Sequence, residues 1–200
     1  EPDVSIAHAT VAHALRRGGR PQDALQAYLR AARCVPAQAW CDWEALKLAA
    51  LLGDGRSAWE SVVRISARAP RARWRQRETS PVMVCDVLVV VAGALSARRE
   101  QLLRLFEQLA AQCDIESERQ HVVGVRQALV AGVPLPGPLA PRNAPGIAPA
   151  ADLAGLLDSL KQGYRKGTIR EEDLLFDPTL ASLRARFALG AVIATPRAFS

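Results

Sequence analysis

Residues 6–36 read Ile6-Ala-His-Ala-Thr-Val-Ala-His-Ala-Leu-Arg-Arg-Gly-Gly-Arg-Pro-Gln-Asp-Ala-Leu-Gln-Ala-Tyr-Leu-Arg-Ala-Ala-Arg-Cys-Val-Pro36. Residues 40–70 follow as Trp40-Cys-Asp-Trp-Glu-Ala-Leu-Lys-Leu-Ala-Ala-Leu-Leu-Gly-Asp-Gly-Arg-Ser-Ala-Trp-Glu-Ser-Val-Val-Arg-Ile-Ser-Ala-Arg-Ala-Pro70. Gly19 recurs as Gly53, Ala24 as Ala58 and Pro36 as Pro70, each pair 34 residues apart. A fixed period of that size marks stacked helical hairpins. Each unit has some three turns of helix, a Gly-containing turn, a second helix and a closing Pro. Gly19 and Gly53 suit the left-handed backbone that ends a helix. Ala24 and Ala58 let antiparallel helices approach closely, and Pro36 and Pro70 cannot continue the helix before them.

These residues resemble the tetratricopeptide repeat family. Gly19, Ala24, Tyr28, Ala31 and Pro36 stand where that family has its turn glycine, small residues, aromatic and closing proline. The second unit keeps Gly53, Ala58 and Pro70 but has Val62 and Ile65 at the aromatic and small places. His8 and Ala12, then Asp42 and Leu46, replace the large aromatic and Gly of the first helix. The resemblance covers about a third of the chain. It implies an all-α fold of antiparallel hairpins in a right-handed superhelix, with the first helix of each pair lining a concave face. Carried over by position, that face receives Ile6, Ala9, His13, Arg16 and Arg17, then Trp40, Trp43, Lys47, Ala50 and Leu51. His13, Arg16 and Arg17 share one helical face. His13 stands where carboxylate-clamping members of the family have Asn, which argues against that particular ligand.

Downstream, the 34-residue register stops at Pro70. Pro81 opens the apolar run Val82–Leu95, too short for the ~20 residues of a membrane span and containing Asp86, so it reads as a buried helix. Residues 97–113, capped by Ser96, carry Leu102, Leu105, Phe106, Leu109 and Cys113 at helical intervals. Glu116–Val130 turns Val122, Val125, Ala128 and Leu129 inward. Together residues 1–131 form the helical repeat domain. Residues 132–150 hold six prolines, which exclude helix and central strand and read as a linker or surface arm. Residues 151–200 form a small C-terminal helical segment. In it, Thr168-Ile-Arg-Glu171 is a capping-box pattern and Asp177-Pro178 opens a last helix running to about Leu189. Ser5 is the expected cap of the first helix, over residues 6–17.

Half the 200 residues are apolar, enough for a sizeable core, and the net charge is +6. Arg64, Arg68, Arg71, Arg73, Arg75 and Arg77 gather much of that charge into one run, a basic patch able to attract nucleic acid, anionic lipid or an acidic protein surface. Cys34, Cys41, Cys85 and Cys113 form no CxxC pair and read as reduced thiols in a cytoplasmic chain. The missing initiator Met leaves open a fragment or processed product. His8 and His13, five apart, sit about 140° apart on a helix, a poor metal pair. Cys113 and His121 make a nucleophile and base only if the fold joins them. No phosphate loop, dinucleotide glycine pattern or serine elbow is present. The expectation is therefore no enzyme, no cofactor and no metal. The expected function is a protein-interaction module that holds a peptide, acidic or amphipathic, on His13, Arg16, Arg17, Trp40, Trp43 and Lys47. The alternatives are nucleic-acid binding through the arginine run, with Trp74 to stack on a base, and service as the accessory domain of a larger enzyme.

Overall fold

A computed structural model describes residues 2–34, 39–68, 80–139, 153–186 and 189–198. Among these the regular structure is all helical. In order, the chain forms α1 (Pro2–Arg17), α2 (Pro21–Arg33), α3 (Ala39–Leu52), α4 (Gly55–Arg68) and α5 (Pro81–Val91). A 3-10 turn over Ala92–Arg98 leads to α6 (Arg99–Gln112) and α7 (Glu116–Ala131). The C-terminal segment adds α8 (Leu153–Lys166), α9 (Glu171–Phe176), a 3-10 turn at Pro178–Leu180, α10 (Ala181–Arg186) and α11 (Gly190–Ile193).

Helices α1 and α2 pack as a hairpin, as do α3 and α4, and α2 packs on α3. Both turns need glycine. Gly19 has φ 73° and Gly53 φ 71°, a region that costs an L-residue roughly 1–2 kcal/mol. The Arg20 N–H bonds Leu15 O at 2.9 Å and the Asp54 N–H bonds Ala49 O at 2.8 Å, so the two turns close alike. Ala24 and Ala58 are both fully buried, where a larger side chain would force the helices apart. Pro36 and Pro70 lie outside the described residues.

Ser5 does not cap α1. The helix starts before it, and buried Ser5 Oγ donates to Ala31 O at 3.0 Å, tying the start of α1 to the end of α2. Ser96 likewise lies inside the 3-10 turn that precedes α6. Of the expected buried helix Val82–Leu95, the part to Val91 is α-helical from Pro81, started by Ser80 Oγ accepting from the Met83 N–H, and Ala92–Leu95 fall in the 3-10 turn. With the following turn and α6 it makes a continuous helical stretch, Pro81–Gln112. By length and composition that stretch could cross a membrane, yet half of its most apolar window is buried in protein. Core helices of soluble folds pass the same test.

The C-terminal segment shares one core with the hairpins. Leu160, Tyr164, Leu174, Leu175, Val192 and Ile193 belong to the same buried cluster as Tyr28, Leu46 and Leu88. Helix α9 packs on α3. The capping box falls two residues later than its pattern suggested. Asp173 Oδ2 accepts from the Arg170 N–H at 2.8 Å, while Thr168 Oγ1 donates back to Gly163 O at 3.1 Å and closes α8. Asp177 Oδ1 accepts from the Thr179 N–H at 2.8 Å, but it opens a 3-10 turn, and α10 ends at Arg186. The tail then returns to the first hairpin: the Arg197 N–H donates to Arg17 O, and the Ala198 N–H to Arg165 O, both at 2.9 Å.

Two sets of substitutions test this packing. Ala24→Leu and Ala58→Leu are each expected to lower the unfolding free energy by about 1–3 kcal/mol in chemical denaturation. Gly19→Ala is expected to cost more than Gly132→Ala, although both positions have left-handed φ. A Cβ at Gly19 would meet Ala194 O at 2.4 Å, whereas one at Gly132 meets nothing within 4 Å.

Candidate binding groove

Six charges collect where α1 and α3 meet the C-terminal segment. Arg16 Nη1 donates to Glu44 Oε2 at 2.5 Å, and its Nε lies 3.4 Å from Glu171 Oε1. Glu171 also receives Arg197 Nη2 at 3.0 Å and the Tyr164 hydroxyl at 2.6 Å. Lys47 Nζ pairs with Glu44 at 2.9 Å and with Glu172 in a still closer contact. Arg16, Lys47 and Arg197 thus balance Glu44, Glu171 and Glu172. Two rings frame the set: Lys47 Nζ lies over the Trp43 ring at 5.6 Å, and the Arg197 guanidinium over Tyr164 at 4.3 Å. Glu171 itself is 3 % exposed and Lys47 4 %. Charges so buried persist only when paired and hydrogen-bonded.

The titration behaviour follows from this geometry. Burial is the largest influence on Glu171 and pushes its carboxyl up. Arg16, Arg197 and the Tyr164 hydrogen bond together outweigh it and hold the carboxyl below its ordinary value. Burial also pushes Glu172 up, and Lys47 more than reverses that. Lys47 is raised, its burial overcome by Glu44 and Glu172. Arg16 is raised for the same reason, with Glu171 and Glu44 as partners. Tyr164 is pushed up by burial and by Glu171, so it remains a hydroxyl that can donate. His13 Nδ1 lies 3.1 Å from the Tyr28 hydroxyl. Partial burial of the ring, then the Arg16 charge, lowers its pKa.

The residues expected on an open concave wall have three different fates. Arg16 and Lys47 lie in the charge cluster, facing carboxylates of this same chain. Trp43 is buried in the core under Lys47, because α9 and the segments around it cover that wall. His13, Arg17 and Trp40 stay exposed, Trp40 edge-on to Tyr28 with ring centroids 6.1 Å apart. Ile6 is exposed, whereas Ala9, Ala50 and Leu51 are buried. From the arginine run, Arg64 is committed to Asp42 and Glu60, each at 2.6 Å. The Arg68 side chain, Trp74 and Arg71, Arg73, Arg75 and Arg77 lie outside the described residues. Cys113 and His121 are not joined as a nucleophile and base. Cys113 Sγ donates to Leu109 O, and its thiol is pushed up to about 11 by burial and by Glu118, while His121 faces Asp86. His8 and His13 do not meet at a ligand site either, since His13 is turned to Tyr28.

The partners Glu44, Glu171, Glu172, Tyr164 and Arg197 escaped sequence reasoning. The available signal was charge complementarity: a wall read as basic, and the acidic stretch Glu171-Glu172-Asp173 in a segment with no assigned role. Neither family models, nor curated proteins, nor solved structures give a match to this chain.

The pH response has a definite sign. Lowered folded values for Glu171 and Glu172 mean that their stabilisation is complete above the ordinary carboxylate pKa of about 4.3 and is lost as pH falls through the lowered values. His13 adds a loss in the same direction, below its ordinary value of about 6.5. The raised Lys47 and Arg16 lose their contribution only as pH rises beyond their ordinary basic range. Stability is therefore expected to be flat from neutral to mildly alkaline pH and to fall on acidification. Glu171→Gln, which takes the carboxylate from Arg197 and leaves Arg16 with Glu44 alone, is expected to cost about 3–5 kcal/mol at pH 7 and to flatten the acid limb. Urea unfolding across pH reads both effects.

Proposed function

We propose that this protein is a protein-interaction module, a helical repeat of tetratricopeptide type, whose concave groove is filled in cis by its own C-terminal segment. One observation carries the reading. Residues placed on the ligand-facing wall by the repeat resemblance, Arg16 and Lys47, are paired with Glu171 and Glu172 from an element far along the chain. The bound element is short, acidic and apolar behind, with Leu174, Leu175 and Phe176 buried. That is the chemistry expected of a peptide ligand for such a wall. The segment acts as a built-in competitor, and the partner is a protein segment with adjacent carboxylates and apolar residues after them.

The energetics give this arrangement a threshold. A tethered segment faces its site at an effective concentration of the order of mM. A partner's apparent affinity falls by the fraction of time the groove is open. Partners must therefore bind tightly, or be helped by an event that loosens α9. The exposed His13, Arg17 and Trp40 beside the filled groove offer such partners a first contact, in which charge steers and the indole anchors.

The nucleic-acid reading draws less support, since Arg64 is spent on Asp42 and Glu60 and the rest of the run lies outside the described residues.

The test uses the full chain with a fluorescent peptide of its own residues 168–180. Wild type is expected to bind the peptide weakly. Glu171→Ala with Glu172→Ala is expected to bind it at least about 10-fold more tightly, because the groove is vacated. Adding Lys47→Gln to that variant should reverse the gain. Equal binding by wild type and the opened variant, with both folded by circular dichroism, would contradict the proposal.

A further inference from the structure

Elsewhere in the fold, three side chains with metal-binding chemistry converge between α5, α7 and the proline-rich segment that follows α7. A sulfur, a carboxylate oxygen and an imidazole nitrogen from Cys85, Asp86 and His121 all lie within 4.8 Å of one another. All three are sequestered. Cys85 is fully buried, Asp86 is 6 % exposed and the His121 side chain 9 %. His121 Nε2 stands 2.7 Å from Asp86 Oδ1. The other oxygen, Asp86 Oδ2, accepts from the Leu139 N–H at 3.2 Å. That bond orients the carboxylate from behind, as outer-shell partners do at metal centres.

Two further observations separate this cluster from an ordinary buried ion pair. The first is the thiol. Cys34 Sγ and Cys113 Sγ each donate to the carbonyl four residues back, at 3.4 and 3.3 Å. Cys85 Sγ has no such partner among the described residues and is grouped instead with the carboxylate and the imidazole. The second is space. Asp86 also lines a cavity of about 450 Å³, walled by Val89, Val90 and Leu175, roofed by Pro134–Pro138 and reached by Arg184.

We propose that Cys85, Asp86 and His121 form a site for one zinc-class divalent cation. The donor set selects the class. A thiolate with an imidazole suits zinc and excludes magnesium and calcium, which take oxygen ligands. The ion would replace the proton between His121 and Asp86 and the proton on Cys85. It would join α5 to α7 directly, and through Leu139 it would fix the segment that roofs the cavity. Three protein ligands leave one tetrahedral position for water or a molecule in that cavity, the arrangement of reactive rather than structural zinc centres.

The test is a titration of reduced, chelator-treated full-length protein with Co2+ as a spectroscopic stand-in for Zn2+. The expected result is one equivalent bound, with a sulfur-to-metal charge-transfer band and tetrahedral ligand-field absorption. Zn2+ should displace the Co2+ and raise the melting temperature. Cys85→Ser is expected to abolish the charge-transfer band. Asp86→Asn and His121→Gln are expected to weaken Co2+ binding by more than the roughly 10–100-fold that an outer-shell loss costs. A variant with Cys34, Cys41 and Cys113 all changed to Ser should keep the band. Wild-type protein that binds no stoichiometric Co2+, or binds it without a sulfur band, overturns the site whether or not the variants fold. A band that persists in Cys85→Ser overturns it as well.

Discussion

The Glu171 carboxylate is the point on which the structure turns. It is buried among Arg16, Arg197 and the Tyr164 hydroxyl, and each partner comes from a different part of the chain: α1, the C-terminal tail and α8. Burial alone would expel the charge from such a place. Two guanidinium groups and a hydroxyl make it stable, and the same contacts hold three elements in register. Lys47 and Glu172 extend the constraint to α3, with Glu44 shared between the two halves of the cluster. Arg16 and Lys47 each have two carboxylate partners, so removing one charged member unbalances the others within a dry site.

The apolar packing would not by itself fix this arrangement. Leu174, Leu175 and Phe176 are buried, but burial of apolar surface is non-directional. The ion pairs specify which residue in the first turn of α9 faces Arg16 and which faces Lys47. In this respect the cluster resembles buried polar residues that set register elsewhere, at some cost in raw stability. The tail repeats the logic with backbone. Gly19 lets the chain turn, and its missing Cβ leaves room for Ala194 and Pro196 to lie against that turn.

What was legible in the sequence was local. Gly19 and Gly53 are visible because a left-handed turn constrains one residue type. Ala24 and Ala58 are visible because close helix approach constrains size. The stripe through Leu102, Leu105, Phe106 and Leu109 is visible because helical periodicity spaces it, and all four are buried. The resemblance drew attention to Arg16 and Lys47, and both lie in the charge cluster. Their partners were not, because Lys47 and Glu172 stand 125 residues apart and no periodicity links them. Ser5 misled for a related reason. A serine near a helix start matches a cap, but burial against α2 gave its hydroxyl a better acceptor in Ala31 O. The cluster of Cys85, Asp86 and His121 was invisible in sequence because two of its members are neighbours on one helix and the third comes from another.

Glu171 of α9 and Arg16 of α1 meet in the charge cluster, and a double-mutant cycle measures their coupling. Arg16→Gln, Glu171→Gln and the double variant would be unfolded in urea at pH 7 alongside wild type. The account expects a favourable interaction energy of about 1–3 kcal/mol, the range for residues sharing one buried network. Additive effects within about 0.5 kcal/mol would mean that the two side chains do not meet, and that this pair does not tie α9 to α1.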